Sequence, residues 1–429
     1  MRILFVNTYD AEGGGGAAIA AGRLCGAVKE AGAEADFFCL YPRKNGCAEG
    51  TLTVESPFMR FAHRASFYIE RAALYGQYGS KLDISKWSFN ILPNFIRPPA
   101  GKKYDLIHLH WIGDSFINMR SLAAFAGGIP VVWTLHDSWA FTGGCHVPYE
   151  CKKYQRNCGN CPQLKSGVEN DLSRAIFNIK QKAYASLENM RIVSPSRWLA
   201  GCARSSGLLA NRDVRVIANG IDGGVFMPVN KREARLKLGI NPEKKVVLFS
   251  GPAALNNVNK GFHFLIAALK QLYGRIDDIE LVVAGDREPS AAPELKYKIN
   301  YAGRISERSV MALYNAAADL LVSPSMQENL PNTIIEAFAC GTPAAAFNIG
   351  GTGEIIDDKV NGCLVKPFDV GELAGAIEWA LSEVGRLAKL GAAAREKFDR
   401  EFTARKMCLE YMRLYEEMLT GGHVTGSPK

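Results

Sequence analysis

Short apolar runs alternate with helix-length stretches along nearly all of the 429 residues, and no other feature restricts the fold as much. Residues 3–7, 35–40, 106–109, 131–135 and 192–194 are brief runs rich in branched and aromatic side chains, as strands buried on both faces are. A helical period occupies 17–31 between the first two. Strands that alternate with helices return to the sheet by right-handed crossovers and lie parallel. The scheme starts afresh with strands at 246–250, 280–284, 319–323 and 344–347 and a helix at 262–272. The expected fold is therefore α/β: two Rossmann-like domains with parallel sheets facing an interdomain cleft. The first domain is expected over 1–212 and the second over 213–402. An amphipathic helix at about 403–420 crosses back onto the first domain, and 421–429 form a disordered tail.

The net charge of +8 belongs wholly to the first half, where residues 1–215 hold 26 Lys and Arg against 17 Asp and Glu. A basic half attracts phosphates or an anionic membrane surface. Between residues 57 and 99, Arg60, Arg64, Arg71, Lys81, Lys86 and Arg97 are interleaved with Phe58, Phe61, Phe67, Tyr68, Tyr75, Tyr78, Trp87, Phe89 and Phe95. This mixture fits a membrane interface. It fits equally a solvated helix whose aromatics turn into the core. No stretch is long enough to span a bilayer, and the apolar run after Met1 is too brief for a secretory signal. The expected location is cytoplasmic, with peripheral attachment at an inner membrane. Dispersal of the basic residues argues against a nucleic-acid partner.

The densest functional signal lies at 323–343. A strand leads through Glu328-Asn329-Leu330-Pro331 into a helix that carries Glu336 and stops at Gly341 and Pro343. Free N–H groups from Asn329 to Asn332 and the positive end of the helix dipole favour a phosphate there. The glutamates bracket it, one suited to sugar hydroxyls and the other to a ribose. Upstream, Ser250-Gly251-Pro252 ends one strand and Asn259-Lys260-Gly261 opens the next helix, where a lysine neutralises a diphosphate leaving group. Gly285-Asp286, Gly303-Arg304 and Gly350-Gly351-Thr352-Gly353-Glu354 add loops on the same rim. No Asp-x-Asp occurs, so no catalytic Mg²⁺ or Mn²⁺ is expected.

In the first half, Glu12-Gly13-Gly14-Gly15-Gly16-Ala17-Ala18 follows the first strand and opens a helix, letting backbone approach a ligand closely. Gly13-x-Gly15-x-x-Ala18 fits the dinucleotide fingerprint. The second strand, however, ends on Tyr41-Pro42-Arg43-Lys44 with no acid for a ribose, which disfavours NAD and leaves NADP conceivable. A tight turn without ligand is the alternative. His108, His110 and His136-Asp137 lie at strand ends, the edge where open parallel sheets bind ligands. His136 suits donation to a sugar hydroxyl or a developing oxyanion, whereas His108 fits a structural role as readily as a binding one.

Four of eleven cysteines cluster: Cys145, Cys151, Cys158 and Cys161 follow C-x5-C-x6-C-x2-C, ending in a Cys-Gly-Asn-Cys-Pro knuckle. In a reducing compartment the spacing points to a structural Zn²⁺ more than to disulfides, with His146 as a substitute for Cys145.

With these residues in view, the chain resembles a retaining glycosyltransferase of family 4, with the GT-B architecture. The likeness is nearly full length. It is carried by Glu328 to Glu336 as E-x7-E, Asn219-Gly220-Ile221-Asp222, Lys260-Gly261, Gly341-Thr342-Pro343, and Gly350-Gly351 with Glu354. The run from His136-Asp137-Ser138-Trp139 to Cys161-Pro162-Gln163-Leu164 is similar to exopolysaccharide enzymes of the colanic-acid type. The resemblance implies a nucleotide-diphosphate sugar of the UDP or GDP type as donor, bound by Gly251, Lys260, Glu328, Asn329, Leu330, Pro331 and Glu336. It implies an oligosaccharide or lipid-linked acceptor on the side of Gly14, Gly15, Gly16, His108 and His110. His136, Lys260 and Glu328 become the catalytic set. Retention is explained by same-face attack, so no protein nucleophile is required. Two departures stand out: Pro252 replaces a usual arginine, leaving Arg197, Arg287 or Arg304 as substitutes, and Ala218 replaces the usual proline before Asn219. A GT-B-fold sugar-nucleotide epimerase, and a nucleic-acid-binding protein using the cysteine knuckle, are the competing readings.

Overall fold

A computed structural model describes residues 1–421 apart from 12–13, 43–49, 55, 80–86, 91, 93–95, 252–254, 256 and 291. Gly13, Arg43, Lys44, Lys81, Lys86, Phe95, Pro252 and the tail from 422 onward lie outside the described residues. The chain forms two compact units, one of Met1–Ile217 together with the chain from Met407, the other of Ala218–Lys406.

The first unit is built on seven parallel strands: β1 (Arg2–Tyr9), β2 (Glu34–Tyr41), β3 (Thr51–Thr53), β4 (Leu106–Leu109), β5 (Val131–Thr134), β6 (Met190–Ser194) and β7 (Val214–Val216). Their order is β3-β2-β1-β4-β5-β6-β7, so the chain steps outward from β1 and then returns to its other side. β1 shows why these runs are apolar throughout. Leu4 and Val6 enter one core layer while Ile3 and Phe5 enter the other, both fully buried. The second layer is completed by Met407, Cys408, Tyr411, Leu414 and Tyr415 of the helix Ala404–Thr420. β7 pairs with β6 from Ile192↔Val214 to Ser194↔Val216. It therefore belongs to the first sheet, and the boundary falls at 217/218, not 212/213.

The second unit repeats the plan with β8 (Lys245–Ser250), β9 (Ile279–Ala284), β10 (Lys298–Gly303), β11 (Leu320–Ser323), β12 (Ala344–Phe347) and β13 (Gly362–Val365), ordered β10-β9-β8-β11-β12-β13. The reversal here lies beside β8. β3, β10 and β13 have no counterpart in the sequence pattern. β3 is three half-buried residues, and β10 is a largely half-buried edge strand without alternation. β13 is short and begins at Gly362, whose Cβ would stand 2.3 Å from the Ala344 carbonyl oxygen. Among the described residues no helix is long and apolar enough to cross a membrane.

The Ala404–Thr420 helix also makes polar contacts beneath the first sheet. The Tyr415 hydroxyl meets His108 Nδ1 at 2.6 Å, His108 Nε2 meets Thr134 Oγ1 at 2.7 Å, and Thr134 Oγ1 meets the Tyr411 hydroxyl at 2.8 Å. Tyr415→Phe would leave His108 Nδ1 buried without its partner, a cost of about 1–3 kcal/mol. A lower urea midpoint for the first unit, followed by tryptophan fluorescence, is the expected result.

Candidate functional site

In the second unit the carboxyl ends of β8 and β11 flank the strand-order reversal, the place where open α/β sheets bind ligands. Gly251 follows β8, and the chain after β11 passes through Pro324 to Glu328. Lys260 Nζ donates to Glu328 Oε1 at 2.6 Å, with both side chains largely buried. The Met326 N–H donates to the Asn259 carbonyl at 2.7 Å, joining the two loops through backbone as well.

Two close backbone approaches at this edge require glycine, one between the Lys260 and Glu328 loops and one between the ends of β8 and β9. Gly261 has φ 75°, and a Cβ there would stand 1.9 Å from the Pro324 carbonyl oxygen. Gly285 has φ 120°, and its Cβ would stand 2.0 Å from the Gly251 carbonyl oxygen. Side chains at either position would push the loops apart.

Pro331 occupies the N-cap position of the helix Asn332–Ala339, outside its first turn. Leu330 is buried beside it, while Glu328, Asn329 and Glu336 are half-buried. The Asn219 amide donates to Asn332 Oδ1 at 3.0 Å, tying the Asn219-Gly220-Ile221-Asp222 turn to this helix N-terminus. Lys260 and Glu328 stand 68 residues apart in the chain, and only the fold joins them as an ion pair. Arg287 and Arg304 are exposed just beyond β9 and β10; Arg197 opens a helix of the first unit.

In the first unit the glycine loop divides by role. A Cβ on Gly14 would lie 2.4 Å from Ala18 Cβ and 2.8 Å from Tyr9 Cβ, so packing alone demands glycine there. Gly15 and Gly16 face open space at the N-terminus of the helix Gly16–Glu30. His110 Nδ1 lies 2.9 Å from His136 Nε2, with His110 buried and His136 half-buried. His108 is fully buried with both ring nitrogens bonded, so it stands behind the edge and not on its surface. Its acceptor-side role gives way to a structural one.

Asp137 accepts from the Trp111 indole at 2.9 Å and the Trp139 amide at 2.8 Å, and pairs with His146 Nδ1 at 2.7 Å. Burial opposes its charge, yet His146 and these donors hold the carboxyl below its ordinary range. His146 Nε2 meets Ser88 Oγ at 3.0 Å, so both ring nitrogens are taken and His146 is no substitute for Cys145.

Cys145, Cys151, Cys158 and Cys161 line one small cavity of about 20 Å³. All four are free thiols. Among the described residues no three His, Cys, Asp or Glu are grouped to hold a metal ion. Burial pushes the Cys145 and Cys161 thiols up and that of Cys158 up to about 12, favouring the protonated form.

Residues 14–223 match the family described as Glycosyltransferase Family 4, and 230–397 match the family described as Glycosyl transferases group 1. The chain belongs to glycosyltransferase family 4. The D-inositol 3-phosphate glycosyltransferase of Rhodococcus jostii is 28% identical over 75% of this chain and 68% of that protein. A putative colanic acid biosynthesis glycosyl transferase of Escherichia coli is 24% identical over 77% and 80%. Among solved structures, Anabaena HepE in complex with UDP and glucose superposes with a TM-score of 0.64, at 17% identity, over 97% of this chain and 100% of that one. That likeness bears on the fold, which is the GT-B glycosyltransferase fold.

Burial, foremost, lowers the pKa of His108 and His110 well below 6.5 and that of His136 to about 4. These rings stay neutral in the folded enzyme while the unfolded chain takes up protons below 6.5. Their contribution to stability is therefore complete above that pH and lost as pH falls towards 4. Thermal melts over this range are expected to show the decline, and His136→Gln to make it shallower.

Proposed function

We propose that this glycosyltransferase moves a sugar from a nucleotide-diphosphate donor to an oligosaccharide acceptor with retention at the anomeric carbon. The observation that carries this reading is the Lys260–Glu328 pair, set at the β8/β11 reversal beside the N-terminus of the helix Asn332–Ala339. An ammonium has three donors, and Glu328 takes one. The remaining N–H groups of Lys260 suit phosphate oxygens whose negative charge grows as the glycosidic bond breaks. Helix N–H groups and the dipole add to this at the phosphates. Glu328 acts as a positioning residue for Lys260 and for sugar hydroxyls, and Glu336 binds the ribose.

In the transfer, the C1–phosphate bond breaks and the acceptor oxygen bonds to C1 on the same face. Its proton passes to the departing phosphate, and the products are a glycoside and a nucleoside diphosphate. No catalytic metal enters this scheme. In the first unit, Gly15 and Gly16 line the acceptor side, and His136, oriented by His110, contacts the reacting sugar. The resemblance of the run 136–164 to colanic-acid-type enzymes favours an acceptor in bacterial surface polysaccharide synthesis, carried on a lipid.

A thermal-shift screen of UDP- and GDP-sugars identifies the donor, since a ligand raises stability only by binding the folded state. With that donor, Lys260→Ala and Glu328→Ala are each expected to lower kcat by about a hundredfold while the protein stays folded. The double variant is expected to be little worse than either, because the pair acts as a unit. Wild-type turnover in Glu328→Ala would sink the assignment.

A further inference from the structure

The helix Pro57–Tyr78 is built inside out. A helix lying on a globular unit normally turns its apolar stripe inward and its polar face to water. Here the buried residues are His63, Glu70 and Leu74. His63 Nδ1 meets the Ser115 carbonyl at 2.9 Å, and Glu70 accepts from Ser115 Oγ at 2.7 Å and from the Leu92 N–H at 3.3 Å. These polar anchors, with Leu74 in a small core cluster and Met59 and Tyr78 packed against core residues, hold the helix to the first unit.

The outward face carries the large apolar groups. Phe58 is 74% exposed and Phe61 70%, followed by Tyr68, Ile69 and Tyr75. Positions 58, 61, 65, 68, 69, 72 and 75 fall on one face at helical spacing, so with Ala65 and Ala72 they form one stripe along most of the 22-residue helix, roughly 27 Å long. Monomeric proteins rarely leave such a face open to water.

Charge selects what covers it. Arg60 and Arg64 are exposed along one border of the stripe, and Arg71 lies over the Phe67 ring at 4.2 Å. Glu70 is the helix's only carboxylate and points inward, so the helix places no acid of its own beside the stripe; from a neighbouring segment Asp114 reaches Arg71 at 3.9 Å and leaves Arg60 and Arg64 as the exposed cations. Aromatic and aliphatic groups at one depth, edged by arginine, match the boundary between acyl chains and anionic headgroups. The helix is too polar to span.

We propose that Pro57–Tyr78 docks the first unit onto an anionic lipid bilayer, lying in the plane of the interface. Phe58, Phe61, Tyr68, Ile69 and Tyr75 enter the acyl boundary, and Arg60 and Arg64 meet lipid phosphates. This goes beyond the transfer reaction and requires neither donor nor acceptor.

The test is co-sedimentation of the full chain with vesicles of phosphatidylglycerol and phosphatidylcholine, against vesicles of phosphatidylcholine alone, without nucleotide sugar. Preference for the anionic vesicles by roughly tenfold or more, weakening with salt, is expected. Phe58→Ser with Phe61→Ser should abolish binding, and Arg60→Gln with Arg64→Gln should remove the anionic preference. These side chains are exposed, so unchanged circular dichroism and melting temperature serve as the control on folding. Absence of binding to anionic vesicles, or binding that survives Phe58→Ser with Phe61→Ser, overturns the proposal. So does concentration-dependent dimerisation that the serine variants abolish, since the stripe would then be covered by a second copy. Because no sugar is present, failure here is distinct from failure of the transferase reading.

Discussion

Each sheet reverses its strand order beside its own first strand, β1 in one unit and β8 in the other. Crossovers that leave in opposite directions part the loops at the carboxyl ends of the neighbouring strands, and side chains from distant stretches of chain converge there. In the second unit the loop after β8 and the loop after β11 meet closely enough that a Cβ on Gly261 would overlap the Pro324 carbonyl. Lys260 and Glu328 bond as a result. The ion pair is a product of topology, with glycine removing the obstruction.

At the first unit's edge the same geometry is supported from beneath by buried polar groups. His108 is held between Tyr415 and Thr134, and Asp137 among Trp111, Trp139 and His146. Lys180, fully buried, donates to the Trp139 and Thr142 carbonyls and lies 3.9 Å from the Trp139 ring centroid. Burial pushes its pKa down to about 7. An unpaired polar group at this depth costs about 1–3 kcal/mol, so these bonds keep the strand ends in one arrangement. Much of the run 136–164, rich in residues suited to chemistry, forms this support. His136, half-buried and bonded to His110, is its most exposed histidine.

The aromatic and basic residues between 57 and 99 separate in an informative way. Trp87 and Phe89 are buried, each less than a tenth exposed, whereas Phe58, Phe61, Tyr68 and Tyr75 face outward. Composition describes both groups alike. What distinguishes them is that His63 and Glu70 find partners in Ser115 and at Leu92, which turns the helix's polar side inward.

Strand positions, parallel pairing and the two-unit plan were legible in the sequence, because a strand buried on both faces must be apolar at every position, as Ile3 to Val6 are. The E-x7-E segment was legible for a similar local reason: strand, loop, Pro331 and helix are consecutive in the chain. Strands β3, β10 and β13 were not, being short or at edges where packing demands little of the side chains. The burial of His108 and the roles of Asp137 and His146 depend on partners tens to hundreds of residues away, such as Tyr415 and Ser88. The boundary at 217 follows from β7 pairing with β6. Sequence by itself determined the periodicity, the turns and the types of residue available at each strand end. Tertiary structure alone decided which of them meet, because a hydrogen bond or an ion pair is set by distance in space, and only the strand order brings Lys260 to Glu328.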